Sequence, residues 1–519
     1  MRLGHPTRAV PGRRRLLRTL PVLAAAIGAP AWLRQARAAD VPRFALGVAS
    51  GQPSAAGVVL WTRLTGPGLA AEVAVDWEVA ADEGLQRVVV RGRALARAED
   101  AHSLHVEVAG LAADRQYWYR FGALGDASRV GCTRTAPAAH AEVAQLDFVL
   151  ASCQRWDHGL WAAWRDVAEQ PPALVIFVGD YVYEYATPPG AAVVRRHEGA
   201  TARTLDDYRA RHAQYKSDPL LQAVHALAPW IVIWDDHEVA NDYAGEQGER
   251  LEADFPARRA AAYQAWWEHM PLPQALRPVQ GRVSLCGRLD WGRLARLQWL
   301  DDRQYRDPQA CPRPGRGGGN VVDPRACAAL ADPGRTLLGA EQERWLAAGW
   351  SLQHPWNLLA QQTLMAPLAR PPPAGGEGTR VWTDGWDGYP AARARLLGGL
   401  AERRVPGAVV LGGDVHASYV AQLRAEPGDA RAPVLASEFC GTSISSHGPP
   451  QARLDQELRL NPHLLHARGD QRGCIRFALT PARLQADLRA VTDPADAASA
   501  VTSQARFVVE AGRPGPQRD

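Results

Sequence analysis

The stretch PWIVIWDDHEVANDY, residues 229–243, begins as an apolar run and ends in a knot of charge. Five to six consecutive apolar residues bounded by polar ones read as a fully buried strand. Asp235, Asp236, His237, Glu238, Asn241 and Asp242 then arrive within eight positions. Burying an unpaired charge is expensive, so these acids need compensation. Two or more cations shared among them would supply it, because a metal ion neutralises carboxylates that otherwise repel one another.

The same pattern recurs along the chain. LDFVLASC ends at Cys153, ALVIFVGDYVYE delivers Asp180 and Tyr183, WNLLAQQ delivers Gln361 and Gln362, and GAVVLGGDVH delivers Asp414 and His416. Between these runs, DDYRARHAQY and EQERWLAAGW read as helices. Strands alternating with helices predict a layered α/β domain over 145–512. In such sheets the ligand site lies beyond the carboxyl ends of the strands, where all five loaded segments would converge.

Residues 43–136 have a different texture. AEVAVDWEV places Val73, Val75, Trp77 and Val79 on one face, and SLHVEV and QYWYRFG repeat the two-residue period. Short alternating strands at regular spacing predict a small all-β, fibronectin-III-like antiparallel sandwich. TAPAAHAE (135–142) reads as the linker to the α/β domain.

The chain has 519 residues, long enough for two cores. Its formal charge of +4 comes from the N-terminus, since residues 1–38 carry eight arginines and no acid. Removing them turns +4 into −4 and leaves no basic footprint for specific nucleic-acid binding. GRRRLLRTL, a short apolar stretch and ARA (36–38) form a secretory leader. It is interrupted and too short to span a membrane. Arg13-Arg14-x-Leu16-Leu17 resembles the twin-arginine export signal, which predicts handling by the twin-arginine translocase and a periplasmic or extracellular destination. In an oxidising compartment Cys311 and Cys327, flanking the loop CPRPGRGGGNVVDPRAC, are expected to pair. Arg195-Arg196 reads as a solvated face.

GDYVY, DDHE and GGDVH, in this order, resemble the blocks GDxxY, GNHE and GHxH of the calcineurin-like metallophosphoesterases. SCQRW, VGDYVYEY, WDDHEVANDY, DGWDGYPAARARLL, SEFCGTSISS and the N-terminal GVASGQPSAAGVVLWTRL are similar to the alkaline phosphatase D (PhoD-like) family. The resemblance implies a metallophosphoesterase β-sandwich flanked by helices, twin-arginine export, and hydrolysis of phosphate monoesters or diesters with one Fe³⁺ and Ca²⁺. It assigns Cys153, Asp180, Tyr183 and His416 to iron, with Asp180 bridging, and Asp236, Gln362 and Asp414 to the remaining metal shell. Asp236 stands where the wider superfamily has Asn, and Asp414 where it has His. Both changes add hard anionic oxygen, which suits calcium better than zinc.

A metal-bridging hydroxide would attack phosphorus, with His237 either protonating the leaving alkoxide or hydrogen-bonding a phosphoryl oxygen, and Asn241 beside it. No G-x-S-x-G elbow accompanies Ser437 or Ser443. The implied partners are small phosphate esters, with phospholipid and teichoic-acid-like diesters in the same chemical class. Two alternatives stay open at this level: a phospholipase D-like phosphodiesterase on the same scaffold, and a non-catalytic exported binding or adhesion protein.

Overall fold

The computed structural model describes residues 42–519 apart from 427, 428 and 430. The leader assigned to 1–38 lies outside the described residues. Two large sheets stack face to face. The first has ten strands, in the order Arg513–Arg518, Val501–Glu510, Arg483–Val491, Arg472–Leu479, Leu146–Ala151, Leu174–Val178, Pro229–Ile233, Val48–Ser54, Gly57–Arg63 and Ser103–Ala109. The second has seven, in the order Gly287–Trp291, Ala295–Trp299, Trp356–Ala360, Ala408–Gly412, Val434–Cys440, Ser418–Arg424 and Leu464–Arg468.

The centre of each sheet is parallel. Leu146–Ala151, Leu174–Val178 and Pro229–Ile233 run together in one, and Ala295–Trp299, Trp356–Ala360, Ala408–Gly412 and Val434–Cys440 in the other. Their continuous apolar sequences follow from burial on both faces. The two-residue period of a strand divides them between two cores. Leu358, Ala360, Val409 and Leu411 enter the core between the sheets, while Leu359, Ala408 and Val410 enter a second core beneath the helices.

Helices Ala162–Glu169, Leu205–Lys216, Pro219–His225 and Phe255–His269 contribute to the first core, and Gly339–Gly349, Pro390–Arg403 and Gln451–Leu460 to the second. The expected helix in DDYRARHAQY is Leu205–Lys216. It starts at a capping box, in which Thr204 accepts from the Asp207 amide and Asp207 from the Thr204 amide, satisfying two otherwise orphaned donors. Helix Pro219–His225 starts at Asp218, whose carboxylate accepts from the amides of Leu220 and Leu221.

The N-terminal β segment forms a sandwich that shares a sheet with the rest of the protein. Glu72–Ala80, Val88–Arg97, Gln116–Ala123, Asp126–Ala127 and Gly131–Arg134 make a five-stranded sheet. Its Val73, Val75 and Val79 pack against Val58, Leu60 and Val106. Those last three belong to the end of the ten-stranded sheet, joined to its centre by parallel pairing of Ser50 with Pro229 and Gly51 with Trp230. Cys311 and Cys327 are disulfide-bonded. No helix among the described residues is long and apolar enough to cross a membrane.

Candidate metal centre

The loaded residues sit just past the ends of the parallel strands, as the sequence pattern requires. Cys153 follows Leu146–Ala151, Asp180 follows Leu174–Val178, Asp236 follows Pro229–Ile233, Gln362 follows Trp356–Ala360, and Asp414 and His416 follow Ala408–Gly412. Cys153, Asp180, Asp414 and His416 all have left-handed backbones, with φ of 59°, 59°, 67° and 53°. Such conformations cost about 1–3 kcal/mol each in residues other than glycine and cluster at functional sites. Gly179, before Asp180, has no alternative at φ 108°: a Cβ there would lie 2.4 Å from the Asp235 Cβ.

Two groups of donors meet at Asp180. The Cys153 sulfur, an Asp180 carboxylate oxygen and a His416 ring nitrogen lie within 4.8 Å of one another, and so do single donor atoms of Asp180, Asp236 and His237. A third group joins Asp235, Asp236 and Asp414 within the same limit. The Tyr183 hydroxyl donates to Asp180 Oδ2 at 2.7 Å, lies 3.1 Å from His416 Nε2, and meets the Ser446 hydroxyl at 2.6 Å. His416 Nδ1 donates to the His447 carbonyl at 2.9 Å, which leaves Nε2 as the nitrogen with a lone pair. Burial, with His237 nearby, holds this imidazole down to about 3, so it is neutral.

The electrostatics show which acids the protein itself compensates. Asp235 Oδ1 receives the Arg303 Nε at 2.5 Å. Glu238 accepts the amides of Asp180, Tyr181 and Asp235 at 3.1, 2.6 and 2.8 Å, which ties the two loops together. Asp180 Oδ1, Asp236 Oδ1, Asp414 Oδ2 and Gln362 Oε1 are buried without a hydrogen-bond partner, as is the second oxygen of Asp235, Oδ2. Burial, with Asp236 and Asp235 and against the pull of His237, pushes the Asp180 carboxyl well above the carboxylate range. Burial and Asp235, opposed by Arg303, do the same to Asp414. Burial and then Asp180 raise both the Cys153 thiol and the Tyr183 phenol. A buried set of oxygen, sulfur and imidazole donors with bare oxygens and mutual repulsion fits cations.

Gln362 and Gln361 differ in what remains available. Gln362 Nε2 donates to the carbonyls of Trp234 (2.8 Å) and Leu300 (3.0 Å), leaving its oxygen bare. Gln361 spends its amide on the Thr363 carbonyl and its oxygen on Trp386 Nε1 and the Thr363 amide. The His237 ring packs tilted against Tyr183, centroids 4.2 Å apart, and its Nδ1 donates to Glu184 Oε2 at 2.8 Å. Asn241 is half-buried, its amide held by Glu184 Oε1 at 2.9 Å.

Several partners escaped the sequence reading. Glu184 closes the quoted VGDYVYE. Arg303 follows strand Ala295–Trp299 in LQWLDDR, another apolar run ending in acids that the same pattern would have flagged. Asp384 joins Arg303, Arg306 and Gln309 and is framework. Trp386 is framework through Gln361, Asp387 pairs with Arg393, and the Tyr389 hydroxyl reaches the Asp307 carbonyl. Arg195 is not a solvated face. It lies 3.6 Å over the Trp156 ring and 2.7 Å from Asp218, because an aromatic shelf and a buried acid hold it.

The model of the PhoD-like phosphatase family matches residues 148–488, and that of the family's N-terminal domain matches 29–137. The chain belongs to the PhoD-like phosphatase family. This PhoD-like phosphatase is 42% identical over 492 residues to alkaline phosphatase D of Bacillus subtilis (strain 168), an alignment covering 91% of the chain and 82% of that protein. It superimposes on the solved structure of PhoD with a TM-score of 0.87 at 40% identity, over 93% of each chain. It is therefore a phosphoric ester hydrolase of the metal-dependent type, with candidate ligands gathered beyond the strand ends.

Proposed function

We propose that this phosphatase hydrolyses phosphate monoesters, diesters or both at a centre of Fe³⁺ and Ca²⁺. Cys153, Tyr183, His416 and Asp180 would hold iron. Asp180, Asp236, Gln362 and Asp414 would hold calcium, with Asp180 shared. The observation that carries this reading is the set of buried oxygens without partners on Asp180, Asp236, Asp414 and Gln362. The Cys153 sulfur and the His416 imidazole group with Asp180, to which the Tyr183 hydroxyl also bonds, while Asp236 and His237 form a second group with the same carboxylate, an arrangement that suits two cations sharing Asp180. When bound, the two cations supply Lewis acidity toward the phosphoryl group and its attacking water.

The chain's own residues carry the proton. With Nδ1 committed to Glu184, His237 keeps Nε2 for the leaving oxygen as a general acid. Asn241, fixed through its amide to the same Glu184, presents its carboxamide to the phosphoryl oxygens. In this reading 1–38 is the twin-arginine leader, 43–136 the β-rich N-terminal unit and 145–512 the catalytic unit. The protein then acts in the periplasm or outside the cell on small phosphate esters.

Elemental analysis and a visible spectrum of the purified enzyme test the assignment, beside hydrolysis of p-nitrophenyl phosphate and bis-p-nitrophenyl phosphate. Thiolate and phenolate on Fe³⁺ should colour the protein through charge transfer, and Tyr183→Phe should shift or remove the band. Colourless, iron-free and fully active enzyme refutes the ferric site, and full activity after exhaustive EGTA treatment refutes calcium. His237→Asn should slow esters with poor leaving groups about 10²-fold or more and p-nitrophenyl esters much less. Equal loss on both removes the proton-donor role.

A further inference from the structure

The loop closed by the Cys311–Cys327 disulfide reaches the segment that carries Asp236. Its Gly319 amide donates to Asp242 Oδ2 at 2.8 Å, and Gln309 Nε2 donates to the Asp242 carbonyl at 2.8 Å. Held from both ends, Asp242 turns its own amide onto Asp236 Oδ2 at 2.7 Å. Asp236 Oδ1 is then the oxygen without a hydrogen bond, with Arg303 Nη2 3.8 Å away.

The loop is anchored away from this contact as well. The Gly317 amide donates to the Glu249 carbonyl, the Thr383 amide to the Asn320 carbonyl, and Val321–Val322 pairs antiparallel with Val381–Trp382. The contact demands glycine. A Cβ on Gly319 would lie 2.8 Å from both Asp384 Cβ and Trp382 Nε1, and 3.0 Å from Asp242 Oδ2. Gly318, at φ 77°, would meet Glu249 Cγ at 2.7 Å. The run of three glycines is a close-approach surface.

We propose that this disulfide-closed loop is a clamp that positions Asp236: Gly319 fixes Asp242, and Asp242 fixes one Asp236 oxygen so that the other points at a cation. The inference rests on Asp236 being a cation ligand, and it adds Gly319, Asp242 and the disulfide as positioning elements of that ligand. Groups that orient a ligating carboxylate through its second oxygen affect metal affinity without touching the metal.

The test compares four variants of the full chain: Cys311→Ser with Cys327→Ser, Gly319→Ala, Asp242→Ala and Asp242→Asn. Two readouts are taken: amide hydrogen exchange of residues 236–242 in metal-free protein, and calcium affinity by calorimetric titration with Ca²⁺. The first three variants should speed exchange of that segment and weaken calcium binding about 10–100-fold. Asp242→Asn keeps an acceptor for the Gly319 amide and should stay near wild type in both. Iron content should hold in all four, since Cys153, Tyr183 and His416 lie outside the clamp.

Unchanged exchange in Gly319→Ala and Asp242→Ala overturns the clamp. Faster exchange with unchanged calcium affinity overturns its link to the ligand. Loss in Asp242→Asn as large as in Asp242→Ala overturns the hydrogen-bond account. Should the double serine variant fail to fold, Gly319→Ala and the two Asp242 variants make the same comparison with the disulfide intact. Wild-type protein that takes up no Ca²⁺ overturns the ligand reading of Asp236, and the exchange data then judge the positioning on their own.

Discussion

The framework side of the site and its ligand side treat buried acids differently. On the framework side Asp235 and Asp384 meet Arg303, and Glu238 meets three backbone amides. Both sides keep buried oxygens without a hydrogen bond, Asp235 Oδ2 among them, but on the ligand side Arg303 comes no nearer than the 3.8 Å between its Nη2 and Asp236 Oδ1. Asp235 and Asp236 are consecutive and nearly equally buried, at 1% and 3% exposure, so burial does not separate the two classes. The partner does. Asp235 has a guanidinium bonded to it at 2.5 Å, whereas Asp236 has a backbone amide on Oδ2 and no hydrogen bond on Oδ1, which leaves that oxygen open to a cation.

Removing an answering charge should give the largest effect. Arg303 is fully buried, with one guanidinium serving Asp235 and Asp384. Arg303→Met is expected to destabilise the fold by about 3–5 kcal/mol, because stripping one partner from a buried pair leaves the other charge uncompensated. Urea denaturation checks this. Adding Asp235→Asn to the variant should recover part of the loss, and an Arg303→Met midpoint equal to wild type would erase the distinction between the two sides.

The counterpart on the ligand side should harm function and spare the fold. Asp180→Asn replaces the carboxylate shared by both donor groups with a neutral amide. Content of both metals should fall, and kcat/KM should drop by at least the roughly 100-fold typical of losing an outer-shell partner. The metal-free variant should unfold no more easily than metal-free wild type. A variant that binds both ions normally would show that Asp180 is framework after all.

The distinction explains what the sequence disclosed. Strand ends loaded with Cys153, Asp180, Asp236, Gln362, Asp414 and His416 are local patterns, so a strand period and a following acid suffice to find them. The stacked sheets follow from the same periodicity. Arg303 answers Asp235 across 68 positions, and no local pattern announces a pairing made by two sheets closing on each other. Glu184 was visible in VGDYVYE, yet its double hold on His237 and the Asn241 amide needs the fold. The merged N-terminal sandwich was hidden for a similar reason. Nothing local in Val48–Ser54 announces its parallel pairing with Pro229–Ile233, which is a long-range event.

The smallest expected effect is read from the sign of a stability change. Asp414 carries a carboxyl pushed well above the usual range by burial and Asp235, despite Arg303. An acid whose folded value is raised binds its proton more tightly when folded, so folding weakens as pH climbs from the unfolded value near 4 through the folded one. In metal-free protein at pH 8, far above the unfolded value, that penalty is present, and Asp414→Asn should remove it. The metal-free variant should melt about 2–4 °C higher than metal-free wild type, and the gain should shrink as the pH is lowered toward 4. With calcium present the order should reverse, since wild type then gains binding energy that the amide forgoes. Thermal melts at pH 8 and pH 5, each with EGTA and with calcium, give the four comparisons. If Asp414→Asn lowers the melting temperature of metal-free protein at pH 8, the Asp414 carboxylate is stabilised by its surroundings and does not belong among the bare ligands.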